Sequence, residues 1–262
     1  MAKNSPKSLS EESLRAEFQK KKLNNTDIFF YTRTDSTNTR AKIYADGGAE
    51  KKNAVFLSLG QSAGRGRRGR SFDSEEGAGL YISFLAYPES PTLDVAKITA
   101  HAVVALCKTI EEFTPLKPKI KWVNDVLVGR KKLAGILTEG KICESGDSLA
   151  YAISGIGVNF KNRAFGGELS KIATSIEGEC GIFPDLFSFA SRLAELYFSE
   201  NDSLLSDYRD RLISVGEVVT VTKILGESYP AKILGVTDSF ALSVEGEKGK
   251  EELISAEVSI KL

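Results

Sequence analysis

The 262-residue sequence predicts an α+β fold, a mixed β-sheet domain with separate helices followed by a small C-terminal β-barrel. Three observations lead there. Short β-like runs cluster between residues 119 and 159 with no helical pattern between them, which argues against a repeating βαβ chain. Pro91 to Phe113 carries Leu93, Ile98, Val103, Leu106 and Ile110 at roughly helical spacing. From Gly216 onward the texture changes to short alternating strands separated by turn residues.

Taken in order, residues 1 to 25 are polar, with a short helix expected across Ser10 to Lys22 and Ser10 as its N-cap. Ile28 to Thr32 reads as a strand. Asp35-Ser36-Thr37-Asn38 then supplies capping side chains for a helix through about Tyr44. Strands are expected at 54 to 60 and 80 to 86, then the Pro91 to Phe113 helix. Further strands follow at Lys119 to Trp122, Val126 to Val128, Leu133 to Thr138 and Leu149 to Asn159, with Gly129 in a tight turn. Phe160 to Gly181 is rich in Gly, Asn, Arg and Lys and lacks periodicity, which predicts a long mobile loop of functional type. Helices resume at Pro184 to Phe198 and from about Asp202 to Leu212. Four strands close the chain: Val218 to Ile224, Tyr229 to Leu234, Phe240 to Val244 and Leu253 to Ile260. Gly226-Glu227, Gly235 and Gly246-Glu247-Lys248-Gly249 separate them.

Composition narrows the function classes. The chain is 42% hydrophobic and 27% charged, ordinary for a globular protein with a sizeable core. Its 35 basic and 35 acidic residues cancel, which removes the global basic field of a dedicated nucleic-acid binder. Cys107, Cys143 and Cys180 form no CxxC pair and no disulfide framework; buried free thiols and a reducing cytoplasm are expected. His101 is the only histidine and falls inside the apolar-periodic helix, so a packed or surface imidazole is expected and a histidine-rich metal site is ruled out by count. No stretch of about eighteen apolar residues is present, so no membrane partner is expected.

Against this neutral background one run stands out. Gly64-Arg65-Gly66-Arg67-Arg68-Gly69-Arg70 packs four arginines and three glycines into seven positions, between apolar strands. Glycine lets the backbone approach a ligand, and guanidinium groups form paired hydrogen bonds to carboxylate or phosphate. Alone, the run also suits a solvated basic turn or a nucleic-acid contact. Lys121-Trp122-Val123-Asn124-Asp125 with Lys131 to Glu139 could equally be a charged β-hairpin, and Gly155-Ile156-Gly157-Val158-Asn159 a bulged strand. Together they supply an anion-binding loop, a lysine beside a glycine-bearing strand, an Asn-Asp pair and a glycine-lined wall.

In this order the motifs resemble the biotin protein ligase family, the biotin–acetyl-CoA-carboxylase synthetases. The family's glycine-arginine signature is matched by Gly64 to Arg70, and its aromatic-Ser-Gly-Leu-Tyr-Ser pattern by Phe72, Ser74, Gly79, Leu80, Tyr81 and Ser83. Its KWPND element is matched by Lys121 to Asp125, KKLAGIL by Lys131 to Leu137, and GxGxN by Gly155 to Asn159. Asp35 to Asn38 and Ala173-Thr174-Ser175-Ile176 also fit, so the resemblance runs from about residue 28 to the C-terminus.

The resemblance implies a class II synthetase-like catalytic domain at 28–214, after an N-terminal extension at 1–27, and an SH3-like β-barrel at 215–262. It implies that biotin and MgATP form biotinyl-5′-adenylate, and that a lysine of a biotin carboxyl carrier protein domain, from acetyl-CoA carboxylase or a related carboxylase, then attacks the adenylate. ATP, Mg²⁺ and biotin are therefore the expected small molecules, with no metal ligands of the protein's own. Arg65, Arg67, Arg70 and Lys132 would carry the charge stabilisation, and Asp125 would orient the carrier lysine. Ser36, Thr37, Gln61, Gly64, Arg65, Arg67, Lys132, Gly135, Ile136 and Gly155 would surround biotin. Phe72, Ser74, Asn124 and Asn159 would meet the nucleotide. The chemistry is consistent: a carboxylate approaching a polyanion needs cations to cancel repulsion, and a neutral ureido ring suits hydroxyl, amide and main-chain partners.

Two positions depart from the family pattern, Phe72 for tryptophan and Val123 for proline. About 27 residues precede the catalytic region, so the winged helix-turn-helix of repressor members is not expected, and DNA is not an expected partner. Family members are monomers or homodimers. A lipoate ligase or octanoyltransferase is the nearest enzymatic alternative and a nucleic-acid-binding regulator the alternative of another class; the combined motifs and the C-terminal β-domain favour biotin.

Overall fold

The computed structural model describes residues 10–21, 23, 25–48, 50–88, 93–161, 165–223, 226–254 and 256–259. Lys22, Pro91, Ile224 and Ile260, each the end of an expected element, lie outside them.

The main sheet has seven strands: β1 (Asp27–Tyr31), β2 (Ala54–Ser58), β3 (Gly79–Ala86), β4 (Lys119–Lys121), β5 (Asp125–Val128), β6 (Lys131–Ile142) and β7 (Leu149–Asn159). Their order is β1-β2-β3-β7-β6-β5-β4, and only β1 and β2 run parallel. The mixed sheet has a simple cause. Helix α2 (Thr37–Asp46) lies between β1 and β2 in sequence, giving the crossover a parallel pair requires, whereas β4 to β7 follow one another through short antiparallel connections.

Helices cover both faces. On one lie α3 (Val95–Phe113) and α6 (Leu186–Phe198), whose apolar faces share one core with alternate residues of the sheet. Fully burying side chains such as Val103, Leu106 and Ile110 stabilises the fold by about 1.5–3 kcal/mol each. Asp94 starts α3 by accepting from the Lys97 N–H at 2.8 Å. On the other face α2 packs Ala41 against Ala54, Phe56, Leu85, Tyr151 and Ile153. The N-terminal helix α1 (Glu11–Lys20) begins with the expected Ser10 cap, in a reciprocal box with Ser13, and buries Leu14 and Phe18 completely.

Two expectations about the catalytic half need correction. Phe160 to Gly181 is not a structureless loop among its described residues: it holds the short helices α4 (Leu169–Ile172) and α5 (Ile176–Cys180), and Phe160 and Ile176 are fully buried. Ser175 caps α5 by accepting from the Gly178 N–H at 3.1 Å, a local bond that periodicity cannot report. At Asp35 to Asn38, Ser36 is the N-cap of α2 but makes no side-chain cap bond. Asp35 instead accepts from the Ser36 N–H and pairs with Arg40.

After α7 (Leu204–Arg211) the chain forms a second, antiparallel sheet in the order β11-β10-β9-β8-β12. Its strands are β8 (Val218–Lys223), β9 (Ser228–Val236), β10 (Leu242–Gly246), β11 (Gly249–Leu253) and β12 (Ala256–Ser259), five where four were expected. The expected Leu253 to Ile260 strand splits because Leu253 closes the β10–β11 hairpin while Ala256–Ser259 crosses to pair with β8. This sheet is joined to the larger one by Trp122, which donates from Nε1 to the Phe240 carbonyl, and to α7 by Arg209, which donates to the Val236 carbonyl.

Among the cysteines only Cys107 is buried, and its burial pushes the thiol up to about 12; Cys143 and Cys180 are half-buried, and all three are free. No described helix is long and apolar enough to cross a membrane.

Candidate active site

The arginine run folds into a loop closed on itself. Phe72 N–H donates to the Gly64 carbonyl at 2.9 Å and Gly66 N–H to the Arg70 carbonyl at 2.7 Å, so the two legs run side by side with Arg67–Gly69 as a single tight turn between them. Gly64 is required by proximity: a Cβ there would run into Ser74 Oγ and the Phe72 carbonyl. The loop presents Arg65, Arg67, Arg68 and Arg70 to a cavity of about 470 Å³ between the central strands, the N-terminus of α2 and the segment around α4. Six basic side chains, these four with Lys121 and Lys132, line it against two carboxylates, Asp73 and Asp125. In a chain of zero net charge, this is a concentrated anion site.

One end of the cavity is polar and neutral. Gln61 Oε1 accepts from the Thr37 N–H at 2.8 Å and from Thr37 Oγ1 at 3.2 Å, while its Nε2 donates to Ser74 Oγ at 3.0 Å. These partners fix the direction of the amide. Behind Thr37, Ser83 Oγ lies 2.7 Å from Thr37 Oγ1 and donates to Asn38 Oδ1 at 2.6 Å. Asn38 Nδ2 in turn donates to Glu139 at 2.7 Å, and Glu139 also pairs with Arg65 at 3.3 Å. Beside this end, Arg40 hydrogen bonds, aided by the Ser36 N–H, hold the Asp35 carboxyl well below the ordinary carboxylate range, which fixes the turn into α2.

The opposite wall is cationic. Lys132 Nζ pairs with Asp125 at 2.7 Å across β5 and β6. Asn124 is held by β6 through its own carbonyl, which accepts from the Ile136 N–H at 2.9 Å, and through Nδ2, which donates to the Ile136 carbonyl at 2.7 Å. Its free oxygen accepts from Arg67 at 3.0 Å, so a rigid strand steadies a loop guanidinium. The Trp122–Val123 peptide in this turn is cis.

Between the two ends the floor is bare backbone. Gly135 and Gly157 oppose each other across β6 and β7, and the Phe72 ring lies over both. A Cβ on Gly157 would sit 2.5 Å from that ring and one on Gly135 would be 3.4 Å away. Gly155 is bare for another reason, since its Cβ would run into Asn38 Oδ1. Over the cavity stand Phe165, Leu169, Ile172 and Ala173, fastened at one end where the Thr174 N–H donates to the Lys132 carbonyl at 2.9 Å and Asn159 Nδ2 to the Thr174 carbonyl at 3.0 Å.

Of the residues expected from sequence, Ser36, Thr37, Gln61, Arg65, Arg67, Arg70, Phe72, Asn124, Asp125, Lys132, Gly135, Ile136, Gly155 and Asn159 all line this one cavity. Gly64 and Ser74 do not: they sit beneath the loop, where Ser74 bonds Gln61 and the Phe72 carbonyl and Gly64 makes room for it. Sequence reasoning gave no place in the site to Asn38, read as a helix-capping residue, or to Ser83 and Glu139, although all three lie inside the motifs it singled out. It placed Phe165, Leu169 and Ile172 in a functional loop and Ala173 in a matching motif without naming them as lining residues, for want of periodicity, and missed Val258 of β12 because that strand bears no ligand-binding motif. His101 is far from this chemistry, with Nε2 2.9 Å from the Tyr197 carbonyl and burial pulling its pKa down.

Comparisons with known proteins agree with this geometry. Residues 30–159 match the Biotin/lipoate A/B protein ligase family. A biotin–(acetyl-CoA-carboxylase) ligase of Paracoccus denitrificans is 32% identical over 240 residues, covering 86% of this chain and 97% of that protein. The bifunctional ligase/repressor BirA of Bacillus subtilis strain 168 is 29% identical over 265 residues, 97% of this chain and 80% of its own length. The fold matches that of a biotin protein ligase from Aquifex aeolicus in complex with biotin and ATP, at a TM-score of 0.72 and 24% identity, covering 90% of this chain and 98% of the other. By this similarity along nearly its whole length, the chain belongs to the Biotin/lipoate A/B protein ligase family and, within it, to the biotin protein ligases.

Proposed function

We propose that the enzyme activates biotin with MgATP to biotinyl-5′-adenylate and passes the biotinyl group to a lysine of a biotin carboxyl carrier protein domain, in the cytoplasm. The observation that carries this reading is one cavity with a neutral hydrogen-bonding end, a side-chain-free floor and a wall of six basic groups. The first end suits a ureido ring, the floor a flat bicycle and an acyl chain, and the wall a triphosphate.

In the activation step the biotin carboxylate attacks the α-phosphorus and pyrophosphate leaves. Arg65, Arg67, Arg70 and Lys132 offset the repulsion between the two anions and the charge gathering on the leaving group. Arg65 and Lys132 each carry a carboxylate partner, Glu139 and Asp125, which an incoming phosphate would replace. Release of Asp125 from Lys132 would leave a carboxylate beside the acyl centre, suited to orient the carrier lysine as it attacks and AMP departs. Phe72 and Asn159 are assigned to the adenosine and Asn124 to holding Arg67.

Magnesium, when bound, supplies charge neutralisation on the triphosphate. The donor set fits a cation held mainly by phosphate oxygens with one or two carboxylates: Asp73 and Asp125 line the cavity, and no group of three or more His, Cys, Asp or Glu side chains suited to a metal occurs among the described residues. We assign the chemistry to residues 28–214, with 215–262 as an accessory domain. The test is incubation with MgATP, a carrier domain and either labelled biotin or labelled lipoate. Biotin-dependent labelling of one carrier lysine is expected; labelling by lipoate alone would overturn the assignment.

A further inference from the structure

Trp122 lines the cavity, yet its polar atom points away from it. Nε1 donates at 2.9 Å to the carbonyl of Phe240 in the C-terminal domain, a buried bond between residues 118 positions apart. The direction of that carbonyl is set by the turn that bears it. Phe240 holds φ 60, and the turn is closed by the Phe240 N–H on the Thr237 carbonyl at 3.1 Å and the Thr237 N–H on the Ala241 carbonyl at 2.9 Å. The Phe240 ring meets the Tyr208 ring edge-on at 5.5 Å, and the Tyr208 hydroxyl donates to the Val123 carbonyl at 3.2 Å. Residues 122 and 123 are therefore gripped from behind by two groups that are themselves in contact. The next residue, Asn124, holds Arg67 at 3.0 Å.

We propose that Trp122 and Tyr208 are positioning residues, through which the C-terminal domain sets the placement of Arg67 and thereby the rate of biotin activation. The physical need is plain. Arg67 stands on a glycine-flanked loop, and the Asn124 oxygen that accepts from its guanidinium at 3.0 Å helps to set its direction. Asn124 is fixed in front by β6 and behind by the turn that Trp122 and Tyr208 clamp. Tyr208 is fully buried and does not line the cavity, and its one hydrogen bond to this region, to the Val123 carbonyl, reaches the chemistry through this turn. The proposal rests on the reading that Arg67 serves the activation step.

The test measures biotin- and MgATP-dependent pyrophosphate exchange, biotin affinity and melting temperature for W122F, which deletes the N–H but keeps a ring, for Y208F, which deletes only the hydroxyl, and for each combined with R67A. Misplacement of a catalytic group by about 1 Å costs roughly a hundred-fold, so each single change is expected to slow exchange by about ten- to a hundred-fold. Biotin affinity in the Y208F variant should fall no further than in R67A. Neither change should slow exchange further once Arg67 is gone. Multiplying effects in the double variants would overturn the proposal, as would lowered melting with exchange per folded molecule unchanged. If W122F does not fold, Y208F decides by the same criteria. Unimpaired exchange in R67A itself would overturn both this proposal and the role of Arg67 in activation, whereas an impaired R67A with multiplying doubles would overturn this proposal alone.

Discussion

Replacing Gly157 by alanine separates the demands of the site from those of the fold. The new Cβ would lie 2.5 Å from Cε1 of Phe72, 2.8 Å from Cζ and 3.0 Å from Cδ1. Carbon atoms settle at about 3.5 Å, so the ring must retreat by about 1 Å. It can do so at low cost: Phe72 is half-buried on a loop leg, and its backbone stays anchored by the bond to the Gly64 carbonyl. Gly157 does not hold a positive φ, so alanine fits the strand, and the loss of unfolded-state freedom favours the variant by about 0.4–1 kcal/mol. Melting temperature should therefore stay within about 4 °C of wild type, since 1 kcal/mol shifts a domain of this size by about 2–4 °C. Displacing the aromatic wall by about 1 Å should lower pyrophosphate exchange by roughly a hundred-fold. Wild-type exchange in Gly157→Ala would refute the view that the bare floor exists to seat Phe72 against a ligand. A fall in melting of ten degrees or more, well beyond about 4 °C, would instead show that glycine serves the strand.

Three further outcomes are expected. Arg67→Ala and Lys132→Ala should each cost about 2.7–4 kcal/mol in activation free energy, roughly 10² to 10³ in rate, with little loss of melting temperature; exchange at the wild-type rate in both would defeat the charge assignment. Trypsin should cut at Lys171 in α4 readily without ligands and slowly with biotin plus ATP, and equal cutting in both conditions would mean that this segment does not close. His101, the single histidine, has its pKa pulled below 6.5 by burial, so the unfolded chain binds its proton first as pH falls. Its stabilising contribution is full above pH 6.5 and is lost as pH drops through the folded value, so His101→Gln should flatten that acid-side decline in thermal melts; an unchanged slope would refute the linkage.

Glycine and arginine made the site legible because each has a direct chemical meaning. Gly64 to Arg70 reads as an anion loop from composition, and the positions of Gly135 and Gly155 on one wall follow from two motifs that both describe strands. Helix α3 was legible from spacing and the C-terminal strands from alternation. Elements held by distant partners were not. Helices α4 and α5 contain four and five residues, too few to show a period, and are fastened by Thr174 to Lys132 and Asn159. The polar chain beneath the cavity joins Asn38 to Ser83 and Glu139, 45 and 101 positions away. Val258 reaches the cavity only because β12 pairs with β8 and not with its sequence neighbour β11.

The fastening of Thr174 to the Lys132 carbonyl would also lower the entropy cost of any closure over a ligand. Ordering backbone costs about 1–2 kcal/mol per residue, so stilling all of Phe160 to Gly181 as an unstructured loop would consume tens of kcal/mol, more than any small ligand returns on binding. With Phe160 and Ile176 already buried and α5 capped, the stretch from Phe165 to Ile172 is, among the described residues, the part that would settle over a ligand. A pivot at residues 173 and 174 would make any such closure a short swing in place of a large disorder-to-order transition. In the proposed activation step, most of the binding free energy would then be left for aligning the carboxylate with the α-phosphorus.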